Sequence, residues 1–410
     1  MISFGQLKKW ILLFVLFTQI AVMGLAQNGK WAAQLLRNDG ITIPFEFEWQ
    51  MVKSKPVWVI RNAAEKIQVS QIEQTGDSIV VQMPVFESQF RAKLTGKGKR
   101  LDGVWIKGGS SSNITMPFTA NWQQKRFATS TPAKANITGR WAVQFGVAKN
   151  GMSVGEFIQK GNQITGTFLN PTGDYRFLQG VIAGDTMRLS CFDGSHAFLF
   201  TAVAAASDKL EQGIFYSGAS FKQPWTAQKD SKAGVSQDKV AMFARPGEEY
   251  LHFSFLDIDS NRISIQDEQF KNKVVIIQLM GSWCPNCMDE TAFLSDYYQR
   301  NRQRGVAVIA LAYEYSTNWQ RSVNSLRKFK DRYQVQYPIL ITGVTVNDSL
   351  RTEKTLPELT PIRFFPSSII LDKKGKIRKL DTGFNGPGTG QHHELWRKEF
   401  EDTVDALLKE

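Results

Sequence analysis

The chain has 410 residues, 42% hydrophobic and 21% charged, with 32 Gly, 14 Pro and a net charge of +12. That composition excludes collagen, coiled coil and wholesale disorder, and the length suits two or three domains that bury cores without disulfide staples. Three cysteines exclude a disulfide scaffold, and the scattered Lys and Arg residues give no reason to expect a nucleic-acid partner.

Residues 1–26 read as an export signal. Lys8 and Lys9 precede an apolar run from Trp10 to Val22, and Gly24-Leu25-Ala26 offers small residues for cleavage. The run is shorter than the ~20 apolar residues of a membrane span, so an uncleaved anchor is the lesser reading. The rest of the chain is expected in an oxidising exported compartment, with the periplasm fitting best.

Residues 27–128 and 136–229 read as two repeated antiparallel β units. GKWAAQL from Gly29 echoes GRWAVQF from Gly139, and GDSIVVQMPVFES from Gly76 echoes GDTMRLSCFDGS from Gly184. Short alternating runs such as 42–49 and 188–200, broken by Gly and Asn turns, predict strands with one buried face, in small barrels or the halves of one sandwich. Linkers run from Thr129 to Ala135 and from Asp230 to Asp238. Trp31, Trp49, Trp58, Trp105, Trp141 and Trp225 read as core. Cys191, matched by Met83 in the other copy, reads as a buried structural thiol, and His196 has no visible partner. With no catalytic constellation of their own, these units are expected to position a partner protein or to carry a homodimer contact.

From Val240 to Glu410 the pattern becomes α/β. A hairpin over 253–265 turns at Asp259-Ser260-Asn261. The apolar run Val274 to Met280 suits a buried central strand. A helix is expected from Cys284 to about Gln303, a strand over 306–315, and a helix from about Thr317 to Tyr333 with Trp319, Val323, Leu326, Phe329 and Tyr333 on one face. A strand over 337–342, a hairpin (367–372 and 377–381) and a last helix bearing Trp396, Phe400, Val404 and Leu407 complete a mixed sheet with helices on both faces. The loop Gly383 to Gly390 and His392-His393 read as a turn and helix start, with Thr389 near the cap.

Cys284-Pro285-Asn286-Cys287 sits where the first core strand passes into a helix. Free amides and the helix dipole favour an anion there, so the first thiol ionises more readily. Residues three apart share a helix face, which lets the sulfurs meet, and Pro285 fits the first turn. A structural zinc site would want four ligands, and only the distant His392-His393 could contribute, so no metal is expected. A structural disulfide stays open, although so small a ring removes little unfolded-state entropy. The favoured reading is a redox site whose only prosthetic element is the Cys284–Cys287 disulfide.

With GSWCPNC from Gly281, FFPSSIILDKKGKI from Phe364, the leading hairpin and the terminal helix in view, residues 240–410 resemble the thioredoxin fold, specifically the exported TlpA/ResA-like thiol–disulfide oxidoreductases. The resemblance implies dithiol–disulfide exchange with protein disulfides, often as a reductant, supplied by an upstream thiol donor. It places Pro366 at the family's cis-proline, with Phe365 before it making the substrate groove more apolar. It matches Glu290, one turn beyond Cys287, to an active-site glutamate that would exchange a proton with the buried thiol. Thioredoxins carry a buried Asp six residues before the first Cys, where this chain has Gln278. Trp283 is expected to shield the site, and Glu314 to point at the same strand edge. The competing readings are a thiol peroxidase of the peroxiredoxin or glutathione-peroxidase type, against which Gly281 replaces the expected Thr, and a β-domain binding protein whose C-x-x-C only senses redox state.

Overall fold

The computed structural model describes residues 26–110, 112–146, 152–235 and 241–410. Residues 1–25 of the expected export signal, the end of the second linker and the start of the last domain at Val240 lie outside the described residues.

Nine antiparallel strands, β1 (Gly29–Leu36) to β9 (Ile114–Trp122), form the first sheet. Each strand pairs with its neighbour in sequence, except that β4 (Glu65–Val69) and β5 (Gln71–Thr75) part company and β1 pairs with β9 instead. The sheet thus curls into a barrel-like meander. The alternation read along 42–49 appears as an inner row in which Phe45, Phe47 and Trp49 are buried. Trp58 stacks on Phe47 with ring centroids 4.0 Å apart. Such aromatic side chains each bury roughly 150–250 Å², enough for a small barrel to hold together without disulfides.

The second sheet runs from β10 (Gly139–Phe145) to β18 (Phe221–Lys229) and closes on itself through β11 (Ser153–Lys160) and β12 (Gln163–Asn170). Closure removes the exposed edges that an open sheet would present. One two-residue strand, β13 (Gly173–Asp174), hangs from the end of β12 outside the ring. The two sheets begin alike. Trp31 Nε1 donates to the Gln27 carbonyl at 2.8 Å, and Trp141 Nε1 donates to the Ile137 carbonyl at 2.9 Å, four residues back in each case. All six tryptophans read as core are buried.

The third sheet has seven strands in the order β20-β19-β23-β22-β21-β24-β25: β19 (Ser254–Asp257), β20 (Arg262–Ser264), β21 (Val274–Met280), β22 (Val306–Ala312), β23 (Ile339–Ile341), β24 (Ser367–Leu371) and β25 (Ile377–Thr382). β21, β22 and β23 are parallel, and β24 runs antiparallel to β21. Helix α1 (Pro285–Asn301) links β21 to β22, and α2 (Trp319–Tyr333) links β22 to β23. A single-turn helix α3 (Arg351–Thr355) precedes β24, and α4 (Gln391–Lys409) ends the chain.

Helices lie on both faces, but unequally: α1, α2 and α4 share one face, and only the single-turn α3 lies on the other. Both crossovers step the same way along the sheet, and right-handed crossovers that step the same way put their helices on the same side. Leu294 of α1, Val323, Leu326 and Phe329 of α2, and Phe400, Val404 and Leu407 of α4 accordingly share one core with Val274 and Ile276. Val275, Ile277 and Leu279 point the other way, where Leu251, Phe253, Leu356 and Leu359 cover them from irregular segments and the end of α3. Each fully buried Ile, Leu or Phe contributes roughly 1.5–3 kcal/mol. No helix among the described residues is long and apolar enough to cross a membrane.

Candidate active site

The buried strand β21, apolar but for Gln278, ends at Met280, and Gly281-Ser282-Trp283 turns the chain into α1. Gly281 is required by crowding: a Cβ there would lie 2.1 Å from Trp283 Nε1. Trp283 folds back so that its indole donates to the Tyr313 carbonyl at 2.8 Å and its ring stacks on Tyr315. Cys284 is the N-cap of α1 and Pro285 its first residue. The Cys284 sulfur accepts from the Cys287 amide at 3.2 Å, the bond a capping side chain makes to an otherwise unpaired N–H. Cys284 and Cys287 are joined in a disulfide with Cα atoms 5.2 Å apart. Cys284 retains 4% exposure and Cys287 none. Opposite them the Phe365–Pro366 bond is cis, and the Phe365 carbonyl oxygen lies 3.6 Å from the Cys284 sulfur. The Phe365 ring packs against Trp283 and Tyr313.

Two carboxyls lie beneath this surface. Glu290 is buried, and desolvation pushes it up to about 8. Gln278 Nε2 donates to Glu290 Oε2 at 2.8 Å and reaches the Cys287 carbonyl at 3.3 Å, while Gln278 Oε1 accepts from Thr291 at 2.9 Å. Gln278 is thus the fixed mount that holds Glu290 under Cys287. Its signal in the sequence was a lone polar residue inside VVIIQLM. Glu314, at the end of the neighbouring strand, is pushed up to about 7 by burial and accepts from the Ser282 amide (2.8 Å) and hydroxyl (2.6 Å). It fixes the turn before Trp283. Beside it, a cavity of about 20 Å³, room for about one water, is lined by Trp283, Glu314 and residues of both barrels, among them Glu87 and Ser195.

The β region touches the cysteine loop directly, which no local pattern announced. Asn286 Nδ2 donates to the Asp174 carbonyl at 3.1 Å, and Ser195 Oγ donates to the Trp283 carbonyl at 3.1 Å. Arg176 donates to the Pro285 carbonyl at 2.7 Å and pairs with Asp289. The first barrel adds Glu87, paired with Arg321 at 2.6 Å and accepting from Ser325 at 2.6 Å. The glycine-rich loop 383–390 lets the turn after β12 come this close: a Cβ on Gly388 would lie 2.8 Å from the Arg176 backbone.

Other candidates fall elsewhere. Thr389 lies next to the α4 N-cap, Gly390, as expected, at the end of a 3₁₀ turn with its hydroxyl donating to the Gly386 carbonyl at 2.7 Å. His392 pairs with Glu156 of the second barrel at 3.0 Å, and His393 meets the Asn385 carbonyl at 2.8 Å. His196 does have a partner: Asp193 lies 3.2 Å away, three residues back in the DGSH turn. Cys191 is a buried free thiol in the core of the second barrel, and desolvation pushes its pKa well up. Among the described residues no group of three His, Cys, Asp or Glu could hold a metal ion.

A strand-to-helix dithiol opposite a cis-proline loop, on a mixed sheet led by a hairpin, defines the thioredoxin superfamily. Residues 245–395 match the Redoxin family. Thiol-disulfide oxidoreductase ResA of Halalkalibacterium halodurans is 28% identical over 141 residues, which are 34% of this chain and 70% of that protein. Bacillus subtilis ResA is 23% identical over 137 residues (33% and 67%). A solved thiol-disulfide oxidoreductase from Bacteroides fragilis shares 18% identity, covering 36% of this chain and 98% of its own, with a TM-score of 0.28. The Redoxin domain makes the chain a thioredoxin-superfamily oxidoreductase similar to ResA, with a β-rich region N-terminal to that domain.

Proposed function

We propose that the protein is an exported dithiol–disulfide oxidoreductase that reduces protein disulfides in the periplasm and is itself recharged by an upstream thiol donor. The observation that carries this reading is the Cys284–Cys287 disulfide at the start of α1 with the buried Glu290 held beneath it by Gln278. In the reduced protein the Cys284 thiolate attacks one sulfur of a substrate disulfide. A Cys284–substrate bond forms, the substrate S–S bond breaks, and one substrate thiolate leaves and takes up a proton. Glu290 takes the proton of the Cys287 thiol. The Cys287 thiolate then attacks the Cys284 sulfur, which re-forms the internal disulfide and releases the second substrate thiolate. Two electrons have passed to the substrate, and the donor restores them. A carboxyl poised near 8 both accepts and returns a proton close to neutral pH, which supports this role for Glu290.

In this reading Trp283, Pro285, Phe365 and Pro366 form the edge against which the substrate chain lies. The matched Trp31 and Trp141 bonds support descent of the two β units, residues 27–128 and 136–229, from one duplicated ancestor, with residues 240–410 as the catalytic domain. Those units pack against the cysteine loop, which favours a part in presenting the substrate, and a homodimer formed through them would keep the site facing inward. The crowding at Gly281 speaks against the peroxidase alternative, since the Thr expected there has no room.

The test is to mix the reduced protein with a model protein disulfide such as insulin and, separately, with hydrogen peroxide. Rapid disulfide reduction that disappears in Cys284→Ser, with slow peroxide consumption, is the expected result. Peroxide turnover exceeding disulfide exchange, or exchange that survives Cys284→Ser, would overturn the reading.

A further inference from the structure

Arg176 belongs to the second barrel, in the short link between β13 and β14 (Leu178–Ala183), yet its side chain ends at the first turn of α1. The side chain is 8% exposed. Nη1 donates to the Pro285 carbonyl at 2.7 Å and to Asp289, Nη2 pairs with Glu65 of the first barrel, and Nε lies 3.9 Å from Asp193 without a hydrogen-bond partner. The backbone is fixed to match. The Arg176 amide donates to Asp174 Oδ1 at 2.6 Å, Asp174 Oδ2 accepts from the Gly386 amide at 2.7 Å, and the Asp174 carbonyl holds Asn286.

We infer that Arg176 is a positioning residue for the exchange reaction: it fixes the first turn of α1 through the Pro285 carbonyl and sets the acidity of the Cys284 thiol by its charge. The inference rests on the reading of Cys284 as the attacking sulfur. A guanidinium buried one residue from that sulfur is poorly screened, so its field reaches the thiolate. It works against four carboxyls: Glu65 from β4, Asp174 and Asp193 from the second barrel, and Asp289 from α1. His196 pairs with Asp193, and His393 lies near enough to Asp174 to act on its charge. Burial pushes Asp289 up to about 7 and raises Asp174, so without Arg176 those of the four acids that stay ionised would leave a negative field at the helix start, opposing the dipole that favours the thiolate. The planar fork reaches the Pro285 carbonyl and Asp289 through Nη1 and Glu65 through Nη2, a spread of donors over two nitrogens that an ammonium lacks.

The experiment compares the reduced full chain with Arg176→Met, Arg176→Lys and Glu65→Gln. The readouts are the pH dependence of ultraviolet thiolate absorbance and the thiol–disulfide equilibrium with glutathione. Arg176→Met is expected to raise the Cys284 pKa by about one unit, a roughly tenfold loss of thiolate at mildly acid pH, and to shift the equilibrium toward a stronger reductant. Arg176→Lys should restore most of the acidity, and Glu65→Gln should move it the opposite way by a smaller amount. If Arg176 only ties the domains together, Arg176→Met will lower thermal stability with the thiol unmoved, and the inference falls. Should Arg176→Met fail to fold, Glu65→Gln decides: an unchanged or raised pKa overturns the inference. A wild-type chain that exchanges no disulfides condemns the proposed function instead, whereas exchange that is normal and insensitive to position 176 condemns only this inference.

Discussion

The barrels and the α/β domain bury polar groups in different places. In the first barrel the interior is a continuous aromatic stack around Phe45, Phe47, Trp58 and Phe90. Several of its buried charges and hydroxyls, such as Ser88, lie instead where the barrels meet each other. Asp174, Arg176 and Ser195 of the second barrel are buried against the cysteine loop. The α/β domain does the reverse and sets Gln278, Ser282, Glu290 and Glu314 around the carboxyl ends of its central strands. Buried polar groups are costly unless paired, so their position separates scaffold from chemistry: one region keeps its core inert, and the other holds proton-binding groups under a disulfide.

The largest effect should break the comparison by attacking scaffold alone. Trp58→Ala removes a fully buried ring and is expected to cost roughly 3–5 kcal/mol in denaturant unfolding, while the folded fraction keeps its exchange rate. A rate that falls in the folded fraction would show the barrel core to be coupled to the site.

Glu290→Gln attacks the chemistry. The exchange rate should fall about a hundredfold, the loss typical for a general acid–base group, and the limb of the pH–rate profile near 8 should disappear. Stability should move the other way. Folded Glu290 holds its proton up to about 8, against an ordinary value of 4.5. Between those limits the folded state binds the extra proton, so stability declines as pH rises through the window. Glu290→Gln removes that decline and should raise Tm by a few degrees above pH 7, with no gain below pH 4.

Gln278→Leu sharpens the same contrast. It strips Glu290 of its donor, at a cost of roughly 1–3 kcal/mol. Because the Gln278 bond lowers the Glu290 pKa, its loss should move the alkaline limb of the rate profile upward. The smallest effect falls at the seam. A Cβ on Gly173 would lie 2.7 Å from Asn286 Nδ2, on a backbone with φ of +140°. Gly173→Ala should therefore cost about 1 kcal/mol or more and loosen the docked turn, which limited proteolysis between β12 and β14 would reveal.

Much of the α/β domain was legible because its elements are local. The period of α2, the apolar run of β21 and the turn at Asp259 are each set by residues close together in the chain, and each appears within a few positions of its expected place. The cysteine pair could be read for the same reason. The seam could not. Arg176 and Asp289 are 113 residues apart, and neither has a neighbour that predicts the other. Gln278 was noted only as the absence of an Asp, although a single amide in an otherwise apolar strand is a positive sign of a buried partner. His196 went unpaired although Asp193 stands three residues before it. The face taken by α2 followed from crossover direction, which composition does not encode.

The central claim is that Cys284 attacks and Cys287 resolves. Its most direct test is to mix reduced Cys287→Ser with a protein disulfide and map any mixed disulfide by mass spectrometry, beside Cys284→Ser. The account predicts a long-lived adduct on residue 284 in the first variant and none in the second. An adduct on Cys287 in Cys284→Ser that forms as fast, or no adduct in either, would contradict it.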